Sequence, residues 1–337
     1  DKNYKIRYNS SSGGLLSQLL IFALEEGIIN GAVITKMKRD NPLEPETFIA
    51  TTKEEIMNSS KSKYCPVPAN IMLDRVCNLR NKKFAVVGLP CQIHGVRKAE
   101  VVSNELRKRI VLHISLFCSN VPNFLATEFL VRKLGIRKES IKTIEYRGKG
   151  WPGSLTVELK DKRVITLPFS KYWDSGFGQY FCVKRCRLCI DHTGELADIS
   201  LGDAWLPHIK NKDRIGTSII ITRNAEAERF LQRARLANKV DIQEIDPCKT
   251  VQSSTISKKR RFNIYASIIN MEKLPKFNAE LLKPTLHTYL DCITFRIGAL
   301  LASKPSLWSL LDIYVFQTKC WSSLIQQIKK LLPRPPV

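Results

Sequence analysis

The chain has 337 residues, 44% hydrophobic and 25% charged, enough to bury a substantial core as one large domain or two. Its formal net charge is +23, which implies anionic partners (nucleic acid, membrane lipid, or a phosphorylated or carboxylated small molecule), set against the plainer reading of a solvated lysine-rich surface. No run of about 18 apolar residues occurs, so no membrane span is expected. The chain opens Asp1-Lys2-Asn3-Tyr4 with neither a Met nor a signal-peptide pattern, and reads as a fragment or processed form.

The first expected element follows Ser10-Ser11-Ser12-Gly13-Gly14, where Leu15-Leu16-Ser17-Gln18-Leu19-Leu20 begins a helix. Small residues there either N-cap the helix or leave its backbone N–H groups to cradle a phosphate. Ala32 to Met37 reads as a strand, and Ser62-Lys63-Tyr64 lies in a polar stretch before a helix starting near Asn70. Lys83 to Gly88 is a buried-type strand that runs through Leu89-Pro90-Cys91-Gln92 into a helix from Ile93 to Lys98. Arg109 to Phe117 is a second such strand, ending in Cys118-Ser119-Asn120-Val121-Pro122 before a helix from Asn123 to Leu134. Cys91 and Cys118 thus hold corresponding places at the carboxyl ends of strands, where α/β folds put ligand and redox residues. A small buried thiol is the simpler alternative for Cys91. His94 and His113 read as helix-surface and strand-core residues.

Ile141 to Tyr146, Ser154 to Leu159 and Arg163 to Leu167 read as three strands, the last two forming a hairpin around Lys160-Asp161-Lys162. Between the first two lies Arg147-Gly148-Lys149-Gly150-Trp151-Pro152-Gly153. This loop is either an ordinary long turn or a cradle for an anionic aromatic ligand, using backbone approach, charge and stacking. Further on, Thr217 to Thr222 reads as a strand, Ala225 to Ala237 as a helix and Val240 to Ile245 as a final strand. Lys258-Lys259-Arg260-Arg261 is a charge run of the kind that is usually solvated. Leu290 to Leu332 is helical and amphipathic, suited to docking on the core, pairing with a subunit, or lying on an anionic membrane surface.

Three of the ten cysteines, Cys182, Cys186 and Cys189, fall within eight residues. The pattern suits a cytoplasmic metalloprotein better than a secreted disulfide scaffold. A zinc ion can take Cys182, Cys186, Cys189 and His192. An iron–sulfur cluster draws four thiolates from separate turns, and Cys91 and Cys118 would complete such a set. The Cys182-x-x-x-Cys186-x-x-Cys189 spacing equals that of radical S-adenosylmethionine enzymes, but too little chain follows it for their barrel. A zinc-stabilised nucleic-acid-binding protein also accounts for the charge; no regular basic helix or aromatic-interleaved strand supports it, and no nucleic-acid partner is expected.

Seven pieces in order carry a more specific resemblance. They are Ser11-Ser12-Gly13-Gly14; Ser62-Lys63-Tyr64; Val87-Gly88-Leu89-Pro90-Cys91-Gln92; Leu116-Phe117-Cys118; Arg147 through Trp151-Pro152; Cys186-x-x-Cys189; and Ala197-Asp198-Ile199-Ser200-Leu201-Gly202-Asp203-x-Trp205. Together they resemble the coenzyme F420 hydrogenase/dehydrogenase beta-subunit family, across about Ser11 to Trp205 and more weakly to Arg235. The resemblance implies an oxidoreductase with FAD and at least one 4Fe–4S cluster, exchanging electrons with coenzyme F420 or another substrate. By the same resemblance the cluster ligands are Cys91, Cys118, Cys186 and Cys189. Cys182 matches no family position and is either a fifth, non-ligand thiol or a substitute for Cys118. The flavin is expected against Ser11, Ser12, Gly13 and Gly14 with Lys63 nearby, and Arg147, Lys149 and Trp151 facing flavin or substrate. Two departures stand out. Many relatives carry a ferredoxin-like segment ahead of the serine–glycine motif, and many have His-Gly where this chain has Ser119-Asn120.

The expected architecture is an α/β (α+β) fold, a mixed sheet core flanked by helices with a mostly helical C-terminal extension. Residues 1–250 are expected to form the FAD and iron–sulfur domain, and residues 251–337 a basic helical extension. Expected partners are a ferredoxin or iron–sulfur subunit and an anionic small molecule, with peripheral membrane contact through the extension. A ferredoxin-linked flavoenzyme acting on a substrate other than coenzyme F420 is the alternative within redox chemistry.

Overall fold

The computed structural model describes residues 2–210, 212–252, 256–261 and 282–331. A six-stranded sheet has the order β2-β1-β3-β4-β8-β9. Its centre is parallel: β1 (Gly31–Met37), β3 (Phe84–Gly88), β4 (Ile110–Leu116) and β8 (Ile199–Asp203). Such strands read as continuous apolar runs because helices cover both faces, and Phe84-Ala85-Val86-Val87-Gly88 is one. The edges β2 (Pro45–Ala50) and β9 (Ser218–Thr222) are antiparallel. Strand β2 was not expected; Pro45 at its first position, without an N–H, suits only an edge.

Six helices of ten or more residues stand out among the described residues: α1 (Leu15–Glu25), α2 (Pro90–Val102), α3 (Phe124–Lys133), α4 (Ala225–Leu236), α5 (Leu286–Ala302) and α6 (Trp308–Leu331). Helices α1 and α4 bury Leu19, Phe22, Phe230 and Leu231 against one face of the sheet. Helix α2 buries Ile93 and Val96 against the other. Helix α2 begins three residues earlier than expected. Pro90 occupies its first turn and the Gln92 side chain caps the Leu89 N–H at 2.7 Å, so Cys91 lies on the helix rather than in a turn before it.

The hairpin strands form a separate antiparallel sheet, β5 (Ile141–Glu145), β6 (Ser154–Leu159) and β7 (Val164–Pro168). Its core includes α3 and the C-terminal helices, through Phe129, Phe181 and Trp308. Burying each such aromatic contributes roughly 1.5–3 kcal/mol. Gly298 of α5 rests on Tyr180, where an added Cβ would lie 2.2 Å from the ring. The apolar C-terminal stretch, expected as one segment, breaks at Ser303–Leu307, where Pro305 removes a helical donor. The strand expected over Val240–Ile245 does not form. Val240 alone is buried there, so the segment has no face to pack.

Candidate active site

Strands β3, β4 and β8 are parallel neighbours, so their carboxyl ends open at one edge of the sheet. A cavity of about 470 Å³ lies there, within the range of small-molecule and cofactor sites. Ser10 to Ser12, Gly14 and the first turn of α1 form one wall. Lys61 to Cys65, Arg147, Phe169, Trp173, Asp203 and Trp205 form another, and Phe117 to Pro122 with His192 close the far end.

The wall at α1 settles one alternative left by the sequence. No side chain caps the helix: Gly14 takes a left-handed φ of 73° at the N-cap position. The serines are engaged elsewhere. Ser10 Oγ donates to the Ile6 carbonyl at 2.8 Å, Ser12 Oγ donates to the Thr217 carbonyl at 3.0 Å, and Ser11 Oγ accepts from Ser62 N at 2.8 Å. Gly13 N donates to Ser218 Oγ at 3.0 Å, with no room for a Cβ against that residue. The loop is thereby pinned to β9 while the start of α1 faces the cavity, an arrangement that favours an anion.

Arg147 is the most constrained polar residue of the cavity. It is 3% exposed and lies 4.9 Å over the Phe169 ring. Its Nε donates to the Pro152 carbonyl at 2.9 Å, and its Nη1 to Asp203 at 2.7 Å and Tyr64 Oη at 3.4 Å. Its Nη2 is buried with no partner. Burial works against the guanidinium charge, but Asp203 and Tyr64 outweigh it and raise its pKa. The result is a fixed, charged guanidinium lining the cavity, with its Nη2 buried behind it and without a protein partner.

The remaining candidates divide. Ser11, Ser12, Gly14 and Lys63 line the cavity with Arg147. Burial pushes the Lys63 ammonium down to about 7, and its Nζ donates to the carbonyls of Ser59, Ser60 and Lys61. Gly13, Lys149 and Trp151 are not among the lining residues. Lys149 is exposed at φ 59° on the turn. Trp151 packs on Trp205 at 4.6 Å and donates to Asp203 at 3.3 Å, so it supports the carboxylate that holds Arg147. Asp203, which the sequence offered only as part of the Ala197–Trp205 motif, is therefore part of the site.

Cys118 lines the cavity, and Cys91, Cys186 and Cys189 lie near enough to act on its charge. Burial raises the Cys91 thiol, helped by the charges of Cys189 and Cys186. Burial pushes Cys118 up to about 12, with Lys259 opposing and Cys186, Cys91 and Cys189 adding. Cys186 moves the other way, since it accepts a hydrogen bond from Cys182 and another from the Val121 N–H at 3.4 Å. Cys182 Sγ also lies 3.3 Å from the Val183 carbonyl, which competes for its single proton. Cys118 N donates to the His192 carbonyl at 2.9 Å, tying the end of β4 to the cysteine loop.

Among the described residues, no three His, Cys, Asp or Glu side chains stand in single-ion geometry, so the zinc arrangement of Cys182, Cys186, Cys189 and His192 is not assembled. A single zinc needs its donors within about 4 Å of one another, whereas a four-iron cluster is itself wider and spaces its thiolates apart. Four thiols from three segments lie near enough to act on one another's charge, and one is held towards thiolate partly by a backbone N–H, a donor set of the chemical kind such a cluster takes. The basic run is not simply solvated: Lys259 is buried and donates to the Asp191 carbonyl at 2.9 Å, Lys258 pairs with Asp291, and Arg260 with Glu195.

Family models for the coenzyme F420 hydrogenase/dehydrogenase beta subunit match the chain, the N-terminal one over residues 1–74 and the C-terminal one over 81–248. The coenzyme F420 hydrogenase subunit beta of Methanothermobacter thermautotrophicus is 30% identical over 251 residues, 73% of this chain and 82% of that one. The chain belongs to the coenzyme F420 hydrogenase/dehydrogenase beta-subunit family. As a member it is an oxidoreductase. The coenzyme F420-dependent sulfite reductase of Methanocaldococcus jannaschii is 24% identical over 273 residues, 76% of this chain and 40% of that one. The fold is shared with a chain of the F420-reducing [NiFe] hydrogenase complex from Methanosarcina barkeri, with a TM-score of 0.62, 23% identity, and coverage of 84% of this chain and 93% of that one. Both family models end before the α5–α6 pair begins.

Proposed function

We propose that this beta-subunit relative passes electrons between coenzyme F420 and an iron–sulfur chain by way of FAD, with residues 1–250 as the redox body and 251–337 as an added helical extension. The observation that carries this reading is the cavity, which runs from the uncapped start of α1 to Cys118 within the four-thiol group. FAD bound there would convert two-electron hydride transfer into single electrons for a 4Fe–4S cluster held by Cys91, Cys118, Cys186 and Cys189. The N–H groups opening α1 would hold the FAD diphosphate. The charge of Arg147 on the cavity wall would favour added negative charge on the ring system. Phe169 and Trp173 give the cavity an apolar wall that excludes water from the ring. The basic balance of the chain attracts coenzyme F420, an anionic substrate. Relatives named as subunits of larger enzymes support an iron–sulfur partner subunit as the electron destination.

The test is anaerobic purification followed by an absorbance spectrum with iron, sulfide and flavin analysis. About four irons and one FAD per chain are expected, together with reduction or oxidation of coenzyme F420 when an artificial electron carrier is supplied. Zinc without flavin would overturn the reading. Full cofactor content without coenzyme F420 turnover would move the substrate to another hydride carrier at the same cavity.

A further inference from the structure

Helices α5 and α6 form a hairpin, tied where Tyr314 Oη donates to the Thr294 carbonyl at 2.8 Å. Helix α5 buries Thr288, Cys292, Gly298 and Ala302 towards the body. On its opposite side run Leu286, Leu290, Ile293, Ile297 and Leu300, spaced four and three in alternation and exposed by 45–77%. These positions fall within one narrow stripe of a 3.6-residue helix. Helix α6 packs inward through Trp308, Leu311 and Val315 while Leu310, Ile313, Phe316 and Trp321 stay exposed. An apolar stripe on the outer side of a docked hairpin requires an occupant.

Charge selects among occupants. Over residues 283–321 the cations are Lys283, Arg296, Lys304 and Lys319, and the anions are Asp291 and Asp312. Both aspartates are paired with lysines from outside the hairpin, Asp291 with Lys258 at 3.2 Å and Asp312 with Lys133. The hairpin therefore presents apolar residues in a positive field, and the sequence continues with Lys329, Lys330 and Arg334. A second copy of a chain carrying +23 is repelled by that field. An anionic lipid surface complements both properties at once. No described helix is long and apolar enough to cross a membrane, which leaves contact in the plane of the headgroups.

We propose that the α5–α6 hairpin docks this oxidoreductase on an anionic membrane surface, with the Leu286–Leu300 stripe entering the headgroup region. The test is co-sedimentation of the full chain with phosphatidylcholine vesicles, with and without phosphatidylglycerol, at low and high salt. Binding only to the anionic vesicles, weakened by salt, is expected, with a shift in Trp321 fluorescence. The Ile293→Gln/Ile297→Gln/Leu300→Gln variant changes only exposed positions and should keep its unfolding midpoint while binding about tenfold more weakly or worse. Equal binding by that variant, or by neutral vesicles, would overturn the proposal. A wild-type dimer in sedimentation equilibrium that the triple variant dissolves would assign the stripe to a second copy instead.

Discussion

Replacing Arg147 with Met separates two roles that the structure gives one side chain. Asp203 is 15% exposed at its side chain and pairs with Arg147 at 2.7 Å, so removing the guanidinium leaves a nearly buried carboxylate without its ion-pair partner. Breaking such a pair from one side costs about 3–5 kcal/mol of folding stability. The same guanidinium charge lines the cavity and would favour an anionic ligand there. An electrostatic contribution of about 1.5–3 kcal/mol corresponds to roughly 10- to 150-fold in affinity. The double variant Arg147→Met/Asp203→Leu removes the stranded charge and should regain most of the stability while still binding FAD weakly. Urea unfolding reads the first quantity and quenching of flavin fluorescence on titration reads the second. If the double variant binds FAD as tightly as the wild type, Arg147 is a structural residue and the proposed electrostatic role is wrong.

Other outcomes follow from the same geometry. Cys182→Ser keeps a donor beside Cys186 and should retain iron, whereas Cys186→Ser and Cys118→Ser should lose it; iron analysis of anaerobically purified protein decides, and iron loss from the first variant would make Cys182 a ligand. Gly202→Ala places a Cβ 2.1 Å from the Phe117 ring, so a thermal melt should show about 1–3 kcal/mol of destabilisation, and flavin should bind less well as the ring moves into the cavity. Burial alone would lower the His113 pKa, but hydrogen bonds to Asp198 at 2.9 Å and Glu100 at 2.6 Å raise it. That stabilisation is complete below about pH 6.5 and is lost as pH rises through the raised folded value. Denaturation across this window should show the decline in the wild type and its absence in His113→Gln; the same slope in both would remove His113 as the cause.

Much of the fold was legible because it rests on local periodicity. The apolar runs at Phe84–Gly88 and Ile110–Leu116 predict buried parallel strands, and the alternation around Lys160–Lys162 predicts the hairpin. Strand β2 escaped notice because Pro45-Glu46-Thr47 lacks the pattern of a buried strand; pairing with β1 decides it. Val240–Ile245 failed in the opposite sense, since alternating residues without a partner and a buried face do not make a strand. The arrangement of the hairpin strands as a sheet of their own, sharing a core with the C-terminal helices, depends on contacts between segments more than a hundred residues apart.

The candidate site divides along the same line. By itself the sequence determined the residue types and their order: small residues before α1, one cysteine shortly after each of two strands and three in one cluster, and a glycine-rich loop with Arg147, Lys149 and Trp151. These are chemical identities, and they survive without coordinates. Direction and partnership required the tertiary structure. Only three-dimensional packing engages the three serines elsewhere and leaves α1 uncapped, turns Lys149 outward, and sets Trp151 behind Asp203. It also brings Lys259 from a charge run to the cysteine loop. A side chain's role depends on what occupies the few ångströms around its polar atoms, and in this chain those neighbours come from distant sequence.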